Sequence, residues 1–177
     1  MSLFATSLRI RLAGLFALIL PLLSAAQPAG TLDPSFGNAG RFVQDFGFQD
    51  NLTHVAVQPL DQKVVTVGTA LTPAFAGQLL VIRLLPNGTP DSTFNGTGVI
   101  TVPDFTESYA YRVVVRDDGK ILVGGASCDP SYNFSFLVMR FNEDGSRDTT
   151  FGQSGIASVD LSSSDDIAYG MAELNDG

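Results

Sequence analysis

The strongest constraint on the fold is a sequence pattern that occurs three times at an almost constant spacing. The copies are Thr31-Leu32-Asp33-Pro34-Ser35-Phe36-Gly37, Thr89-Pro90-Asp91-Ser92-Thr93-Phe94-Asn95 and Ser146-Arg147-Asp148-Thr149-Thr150-Phe151-Gly152. Their shared Asp stands at positions 33, 91 and 148, so the period is 58 and then 57 residues. A long fixed period indicates a fold built from stacked or radially arranged repeat units.

The match between copies extends well beyond this motif. Six residues recur 57 positions later: Arg83, Gly88, Asp91, Phe94, Gly98 and Val102 return as Arg140, Gly145, Asp148, Phe151, Gly155 and Val159. Lys63 and Gly68 return in the same way as Lys120 and Gly125. We therefore divide the repeat region, residues 27–177, into units at about 30–87, 88–144 and 145–177, of which the last is incomplete.

Each complete unit is expected to hold four strands, because short β-rich runs alternate with turn residues. In unit order the predicted strands are Arg41–Phe46, Thr53–Gln58, Lys63–Gly68, Leu79–Leu85, then Val99–Phe105, Ala110–Val115, Lys120–Gly125, Phe136–Phe141, and then Ile156–Leu161 and Ile167–Ala172. The turn Arg116-Asp117-Asp118-Gly119 is a strong hairpin signal, since Gly adopts positive φ without steric cost. In the first unit Asp61-Gln62-Lys63 departs from this Asp-Gly-Lys pattern.

Several predicted strands are continuously apolar rather than alternating. Ile121-Leu122-Val123 and Phe136-Leu137-Val138-Met139 are examples, and such strands are buried on both faces. Four-stranded sheets that stack radially as propeller blades bury strands in this way. We therefore predict an all-β fold of four-stranded antiparallel units forming a partial β-propeller, with two full blades and part of a third. A solenoid or a sandwich accounts less well for the unit length and the period.

The Asp-x-x-Phe-Gly motif is expected to have a structural role. Its Asp can accept hydrogen bonds from backbone amides two or three residues on, and its Phe can fill the gap between units. The glycines at 40, 98 and 155 suit a positive-φ turn before the next strand. Arg83 and Arg140 lie in apolar strands, and a buried guanidinium needs a partner. We predict that they pair with Asp91 and Asp148, eight residues later, or with the equivalent Asp of an adjacent unit, as structural clamps.

The N-terminal residues 1–26 have the pattern of a secretory signal peptide. Arg9 and Arg11 precede an apolar run from Leu12 to Leu23, and Ser24-Ala25-Ala26 offers small residues for cleavage before Gln27. The run is short for a bilayer span, which needs about 20 apolar residues. An uncleaved N-terminal anchor is the alternative. No later segment is long and apolar enough to cross a membrane, so no span is expected after cleavage.

Charge and cysteine content narrow the partners. Removing the predicted leader takes two of the ten basic residues and none of the eighteen acidic ones, which leaves a net charge of −10. Without a basic cluster, nucleic acid is not an expected partner. Cys128 is the only cysteine, so no intrachain disulfide can form and stability depends on burial; a buried inert thiol is expected.

The residues that could form chemical sites are better explained by ordinary structural roles. His54 is the only histidine, and no Gly-x-Ser-x-Gly elbow accompanies it, so a satisfied strand-end histidine is expected rather than a catalytic one. One His and one Cys cannot complete a zinc site. The acidic turns Asp117-Asp118-Gly119, Asn142-Glu143-Asp144-Gly145 and Asp165-Asp166 resemble no complete calcium loop. We therefore predict no catalytic, cofactor-binding or metal-binding residues and no cofactor.

Aromatic side chains offer one further candidate surface. Tyr109, Tyr111, Tyr132, Phe134 and Phe136 could line a carbohydrate-binding face, although core and edge packing is the expected use of most of them.

The combined motifs resemble a known family. The run from Arg83 to Phe94, together with Arg116-Asp117-Asp118-Gly119-Lys120-Ile121-Leu122-Val123-Gly124-Gly125, is similar to the delta-60 repeat, and the resemblance covers about residues 30–177. That family occurs mainly in exported bacterial proteins, often built from many units, and is regarded as propeller-like. The resemblance implies no reaction, ligand or catalytic residue, because the family has none agreed.

These observations lead to one functional expectation and one alternative. The chain is expected to be an exported non-enzymatic repeat module that binds or scaffolds at the cell surface, or in the periplasm of a Gram-negative cell, with an extracellular ligand or surface component as partner. The alternative is an extracellular hydrolase or lyase acting on glycans, which needs paired carboxylates at one cleft. The chain ends inside a predicted hairpin at Asn175-Asp176-Gly177, so we expect a fragment of a longer repeat protein, or self-association through an open strand edge.

Overall fold

All regular secondary structure in the described part of the chain is β-strand. A computed structural model describes residues 29–161 and 164–174; the predicted leader, residues 1–26, and the final residues 175–177 lie outside them. The strands are β1 (Asp50–Val57), β2 (Val64–Leu71), β3 (Gly77–Leu84), β4 (Val99–Val102), β5 (Glu107–Val115), β6 (Ile121–Cys128), β7 (Phe134–Phe141) and β8 (Ile156–Val159). No helix of the described residues could span a bilayer.

The strands form two four-stranded antiparallel sheets of identical topology. The first sheet has the order β1-β2-β3-β4 and the second has β5-β6-β7-β8. Each is a simple meander in which neighbours in the chain are neighbours in the sheet. Both sheets are open, as propeller blades are, so the predicted all-β, blade-like architecture is confirmed.

Each sheet takes its last strand from the next sequence repeat. β1, β2 and β3 belong to the unit at 30–87, whereas β4 follows the Asp91 motif and belongs to the next unit. In the second sheet β8 likewise follows the Asp148 motif. The motif therefore lies in the long connection between the third and fourth strand of a sheet, which places it beside the following sheet as well.

Both first strands carry a bulge at the same repeat position. The register shifts between Leu52 and His54 in β1 and between Ala110 and Arg112 in β5. A Cβ on Gly68, which faces the first bulge, would lie 1.9 Å from the carbonyl oxygen of Asn51. This close approach of backbone to backbone explains why glycine recurs at this position 57 residues later as Gly125, where the corresponding distance to Tyr109 is also 1.9 Å.

The main core lies between the two sheets. Fully buried side chains of β2 and β3, among them Val65, Val67, Leu79 and Val81, share one cluster with Ile121, Val123, Leu137 and Met139 of β6 and β7. The adjacent residues of β3, Leu80 and Ile82, point to the opposite face of the first sheet and are equally buried. β3 is therefore buried on both faces. The runs for which this was predicted are buried on one face only: Leu122, Phe136 and Val138 of β6 and β7 are half-buried.

Residues 32–46 cover the outer face of the first sheet. Phe36, Phe42 and Phe46 pack against Leu80 and Ile82 there. The prediction of a strand at Arg41–Phe46 is wrong: apart from an isolated bridge at Arg41, these residues have no strand pairing. A strand at this repeat position pairs with the third strand of a sheet, as β4 does with β3 and β8 does with β7. Both third strands already have a partner on each side, so no described strand is left to pair with residues 41–46.

Three other strand predictions differ from the structure. Ile167–Ala172 forms no strand, although it lies along β6, where Met171 contacts Gly124 and the Ala168 amide donates to Gly125 O at 3.3 Å. The strands predicted to run to Phe105 and Leu161 end earlier, as β4 and β8. A segment can occupy the position of a strand without forming a ladder of backbone hydrogen bonds when no neighbouring strand supplies the donors and acceptors.

The first hairpins of the two sheets have different residues at the turn position with a positive φ. Gly119 has φ 80° and donates to Arg116 O, as the Asp-Gly signal predicted. At the equivalent position Gln62 takes a positive φ of 59°, a conformation that costs a residue with a Cβ about 1–2 kcal/mol. The departure from the Asp-Gly-Lys pattern therefore leaves the hairpin intact at the cost of backbone strain.

Candidate functional site

The predicted clamp between Arg83 and Asp91 is present and is deeply buried. Arg83 Nε donates to Asp91 Oδ2 at 2.8 Å, and the two side chains are 1% and 2% exposed. Lys63 adds a second cation, with Nζ 3.3 Å from the same oxygen. The guanidinium also lies over the Phe94 ring, 4.6 Å from its centroid. One carboxylate thus joins β3 and the residue that precedes β2 to the motif.

The other oxygen of Asp91 organises the motif's turn. Oδ1 accepts the Thr93 amide at 3.0 Å and the Thr93 hydroxyl at 2.6 Å. Burial alone would raise the pKa of Asp91, but these hydrogen bonds and the nearby Arg83 and Lys63 outweigh it and hold the pKa below its usual value. Asp91 is therefore a permanent anion at neutral pH.

The same clamp recurs one repeat later. Asp148 Oδ2 accepts Arg140 Nε at 2.7 Å and Lys120 Nζ at 2.8 Å. The hydrogen bond from Lys120, followed by the one from Thr150, holds the pKa of Asp148 far below its usual range. In the first copy of the motif Asp33 is exposed, and within residues 29–161 and 164–174 its carboxylate accepts hydrogen bonds from Ser35 alone, from the amide at 2.9 Å and the hydroxyl at 2.6 Å.

The first clamp also fastens one sheet to the next. Arg83 NH1 donates to Glu143 O, in the loop between β7 and β8, at 2.5 Å. Phe94 is fully buried against Gly145, where a Cβ would lie 2.9 Å from its ring. Because every polar atom of this arrangement binds another protein group, it can hold the frame rigid but offers no free acid or base. The prediction of structural clamping is confirmed.

A polar cleft lies at the opposite end of the second sheet. It has a volume of 380 Å³ and is bounded by the connection from β4 to β5, the turn between β6 and β7, and the end of β8. Three carboxylates, Asp104, Asp129 and Asp160, and the hydroxyls of Ser127, Ser135 and Ser158 line it. A concave polar surface built on strand ends and loops is a suitable binding site.

Protein contacts already engage much of this cleft. Asp104 accepts a hydrogen bond from Arg147 Nη2 at 2.7 Å, and Asp160 accepts one from Asn133 Nδ2 at 3.2 Å. Asp129 accepts a hydrogen bond from the Ser131 amide at 2.8 Å. Burial raises the pKa of the Cys128 thiol, which lies in the cleft wall and is 2% exposed. Among residues 29–161 and 164–174, no three His, Cys, Asp or Glu side chains are placed to hold a metal ion.

The distribution of carboxylates bears on the enzymatic alternative. A glycan-cleaving acid needs a carboxyl group whose pKa is raised. The described carboxyl groups with a displaced pKa all have it lowered: Asp33, Asp61, Asp91, Asp144 and Asp148. The two buried ones, Asp91 and Asp148, serve the clamps.

The structure assigns His54 a place in the sheet contact. Its Nδ1 accepts the Val113 amide of β5 at 3.3 Å, and burial, followed by the charge of Arg112, lowers its pKa. It is therefore a neutral acceptor between β1 and β5.

The aromatic candidates do not form one surface. Tyr109 packs against Phe134 at 5.8 Å between centroids, and Tyr111 packs against Tyr169 at 5.0 Å. Tyr132 is exposed on the turn between β6 and β7, and Phe136 is half-buried in β7.

The acidic turns use their carboxylates locally. Asp118 accepts the Lys120 amide at 3.1 Å, Asp144 accepts the Ser146 amide at 2.9 Å, and Asp166 accepts the Leu161 amide at 2.7 Å. This is ordinary turn chemistry.

Sequence reasoning missed two features. Lys63 and Lys120 complete the clamps, and their recurrence after 57 residues was the available signal. The cleft had no such signal, because its lining comes from three separate connections that only the sheet brings together.

Comparison with known families supports the propeller-type architecture. Residues 61–94 and 116–151 match the model of a family described as "Domain of unknown function (DUF5122) beta-propeller". Each matched stretch runs from the first hairpin of a sheet to the Phe of the motif, so the similarity follows the repeat. No curated protein and no solved structure matches the chain.

Proposed function

We propose that this chain is an exported, non-enzymatic module of the delta-60 repeat type that binds or scaffolds at the cell surface. The observation that carries the proposal is the use of its buried carboxylates. Asp91 and Asp148 are each committed to an arginine and a lysine that hold the frame, while the exposed polar loops surround a cleft. Rigid frames that display loops are typical of recognition proteins.

The cleft is the proposed recognition surface. Its carboxylate and hydroxyl oxygens, with Asn133 as an amide donor, suit a hydroxylated, uncharged ligand such as a surface glycan. The net negative charge of the chain disfavours anionic ligands.

A binding experiment tests the proposed surface. Purified protein is incubated with immobilised bacterial envelope polysaccharides, and retention is compared with that of Asp129→Asn/Asp160→Asn. We expect the double variant to lose retention, while Asp117→Asn, an exposed change at the other end of the second sheet, keeps it. Equal retention by all three proteins, or none by the unaltered protein on any envelope fraction, would count against the proposal.

Export is tested separately. The full gene is expressed in a Gram-negative host, and the product is located by fractionation and its N-terminus sequenced. We expect a periplasmic protein that begins at Gln27, and a cytoplasmic product when residues 2–26 are deleted. Membrane-bound protein that still begins near Met1 would support the uncleaved anchor instead.

A glycan-cleaving hydrolase or lyase remains the second candidate, because three aspartates line one cleft. Release of new reducing ends from a polysaccharide, abolished by Asp129→Asn/Asp160→Asn, would favour this candidate over a binding module.

A further inference from the structure

The Asp-x-x-Phe motif makes two kinds of contact, and the three copies differ in which they make. One contact is the clamp to its own sheet, through Arg and Lys. The other is a dock onto the loop of the following sheet, through the Phe ring and the next amide. The middle copy makes both, since Asp91 is clamped while the Asn95 amide donates to Asp144 O at 2.8 Å and Phe94 packs on Gly145.

The first copy makes the dock without the clamp. The Gly37 amide donates to Asn87 O at 2.7 Å, and a Cβ on Gly88 would lie 2.8 Å from the Phe36 ring. Asp33 pairs with no arginine or lysine in the described part of the chain. Residues 42–46, which follow this motif, have no strand pairing.

The third copy makes the clamp without the dock. Arg140 Cζ lies 4.7 Å from the centroid of the Phe151 ring, and Phe151 is half-buried where Phe94 is fully buried. The Arg140 side chain is 20% exposed against 1% for Arg83, which binds Glu143 O in addition. Among the described residues, no loop presents a carbonyl to the Gly152 amide.

The sheet face beside this third motif is less completely covered than the equivalent face of the first sheet. Leu122, Phe136 and Val138 are half-buried, whereas their equivalents one repeat earlier, Val65, Leu79 and Val81, are fully buried against the second sheet. Residues 164–174 cover the part of the face near β5 and β6, through Met171 on Gly124 and Tyr169 on Tyr111.

We propose that a second copy of this chain binds head to tail on this face. Phe151 and Gly152 of one copy take the place of Phe36 and Gly37 on the Asn87–Gly88 turn of the other. The contact then repeats the interface that already joins the first sheet to the second within the chain. This proposal is independent of the proposed binding function.

The exchange is feasible because the competing motifs are alike and the resident one lacks the clamp. The resident segment is held instead by Phe36, Phe42 and Phe46, which pack against the first sheet. Both motifs read Phe-Gly at the dock, so Gly152 can donate to Asn87 O as Gly37 does. The third motif is anchored by Arg140 and Lys120, whereas Asp33 has no such anchor. The incoming β1 displaces residues 164–174, which form no strand and contact the second sheet through Met171, the Ala168 amide and the ion pair of Glu173 with Arg116.

Such a contact joins two different surfaces and is therefore heterologous. Heterologous contacts produce closed rings where the rotation closes and filaments where it does not. Association is accordingly expected to proceed beyond a dimer as concentration rises.

Sedimentation of the full chain, purified after expression with its leader, tests the proposal with two equivalent phenylalanines. Phe151→Ala removes the docking group and is expected to give a monomer. Phe36→Ala weakens the resident dock and is expected to lower the concentration needed for association by several-fold, up to about tenfold, because Phe36 is half-buried and contributes part of the value of a fully buried Phe. The double variant is expected to be monomeric. Association that Phe151→Ala leaves unchanged would overturn the proposal.

Disulfide trapping keeps the proposal falsifiable if Phe36→Ala fails to fold. Asn87→Cys and Gln153→Cys, both at exposed positions, are made in separate chains and mixed under mild oxidation. We expect a mixed disulfide, and much less when Asn87→Cys is mixed with Ser131→Cys at the other end of the second sheet. Equal yields from both mixtures, or a monomer at every concentration, would show that the face is not a site for a second copy.

Discussion

Lys63 Nζ lies 3.3 Å from Asp91 Oδ2, the same carboxylate oxygen that accepts the hydrogen bond from Arg83 Nε. Removing this carboxylate leaves the buried Arg83 guanidinium without its carboxylate partner, while Lys63 keeps Asp61 at 3.0 Å. We expect Asp91→Asn to lower the free energy of unfolding by about 3–5 kcal/mol, as for other broken buried pairs. Urea unfolding followed by circular dichroism measures the loss.

The repeat supplies the matched control for that change. Asp33→Asn alters the same motif position in the copy that is exposed and that has no cationic partner among the described residues, so we expect only a small loss. Similar losses in the two variants would show that the clamp has no special weight.

Acid should unfold the protein through the clamp aspartates. The folded-state pKa values of Asp91 and Asp148 are lowered, so their contribution is complete above the unfolded pKa and is lost as the pH falls below about 4. His54, whose pKa is also lowered, favours the neutral form and adds a smaller loss as the pH falls below about 6.5.

Thermal unfolding between pH 7 and pH 2 measures this profile. We expect Asp148→Asn to be less stable at pH 7 and to lose less stability than the unaltered protein below about pH 4. A variant profile parallel to that of the unaltered protein would contradict the assignment.

Glycine should be indispensable at the two bulges. Gly68→Ala and Gly125→Ala each place a Cβ 1.9 Å from a backbone oxygen, and backbone cannot move aside as a flexible side chain can. We expect losses of about 3 kcal/mol or more, at the upper end for single substitutions. Gly170→Ala, where a Cβ meets nothing within 4 Å, should be nearly neutral in the same denaturant titration.

The strained turn of the first hairpin offers a stabilising change. Gln62 has φ 59° where the second hairpin has Gly119. We expect Gln62→Gly to raise the free energy of unfolding by about 0.5–1 kcal/mol, because relief of strain exceeds the added entropy of the unfolded chain. The reciprocal Gly119→Gln should destabilise by a similar amount; a gain from both changes would refute the strain argument.

Chelators should leave the melting temperature unchanged. The carboxylates of the acidic turns accept hydrogen bonds from nearby backbone amides, as Asp118 does from Lys120 and Asp144 from Ser146. Calorimetry with EDTA, and with EDTA plus excess calcium, checks this expectation. A fall of several degrees that calcium restores would identify these turns as metal sites.

The repeat predicted the fold in considerable detail, because period, turn residues and apolar strands all agreed. The Arg83–Asp91 clamp followed from chemistry alone, since a buried guanidinium requires a partner. The sequence pattern does not reveal whether a predicted strand has a neighbouring strand to pair with. Residues 41–46 resemble β4 in sequence position, yet they lie on Leu80 and Ile82 without a ladder.

The cleft shows a different limit of sequence reasoning. Asp104, Asp129 and Asp160 each precede or follow a strand in a connection of its own. Their meeting depends on how far each strand extends, and β4 and β8 end earlier than their composition indicates. Local propensity carries no information on such endings, which are decided by where pairing stops.

Each sheet takes its fourth strand from the following repeat, and this arrangement has an evolutionary consequence. A tandem duplication of 57 residues adds one complete sheet wherever its breakpoints fall, because the piece is always a circular permutation of a full blade. Recombination therefore need not respect any boundary between units for the array to lengthen. Arrays of this type can grow or shrink by whole blades while the interface between neighbours, fixed by Phe94 on Gly145, is copied with each addition.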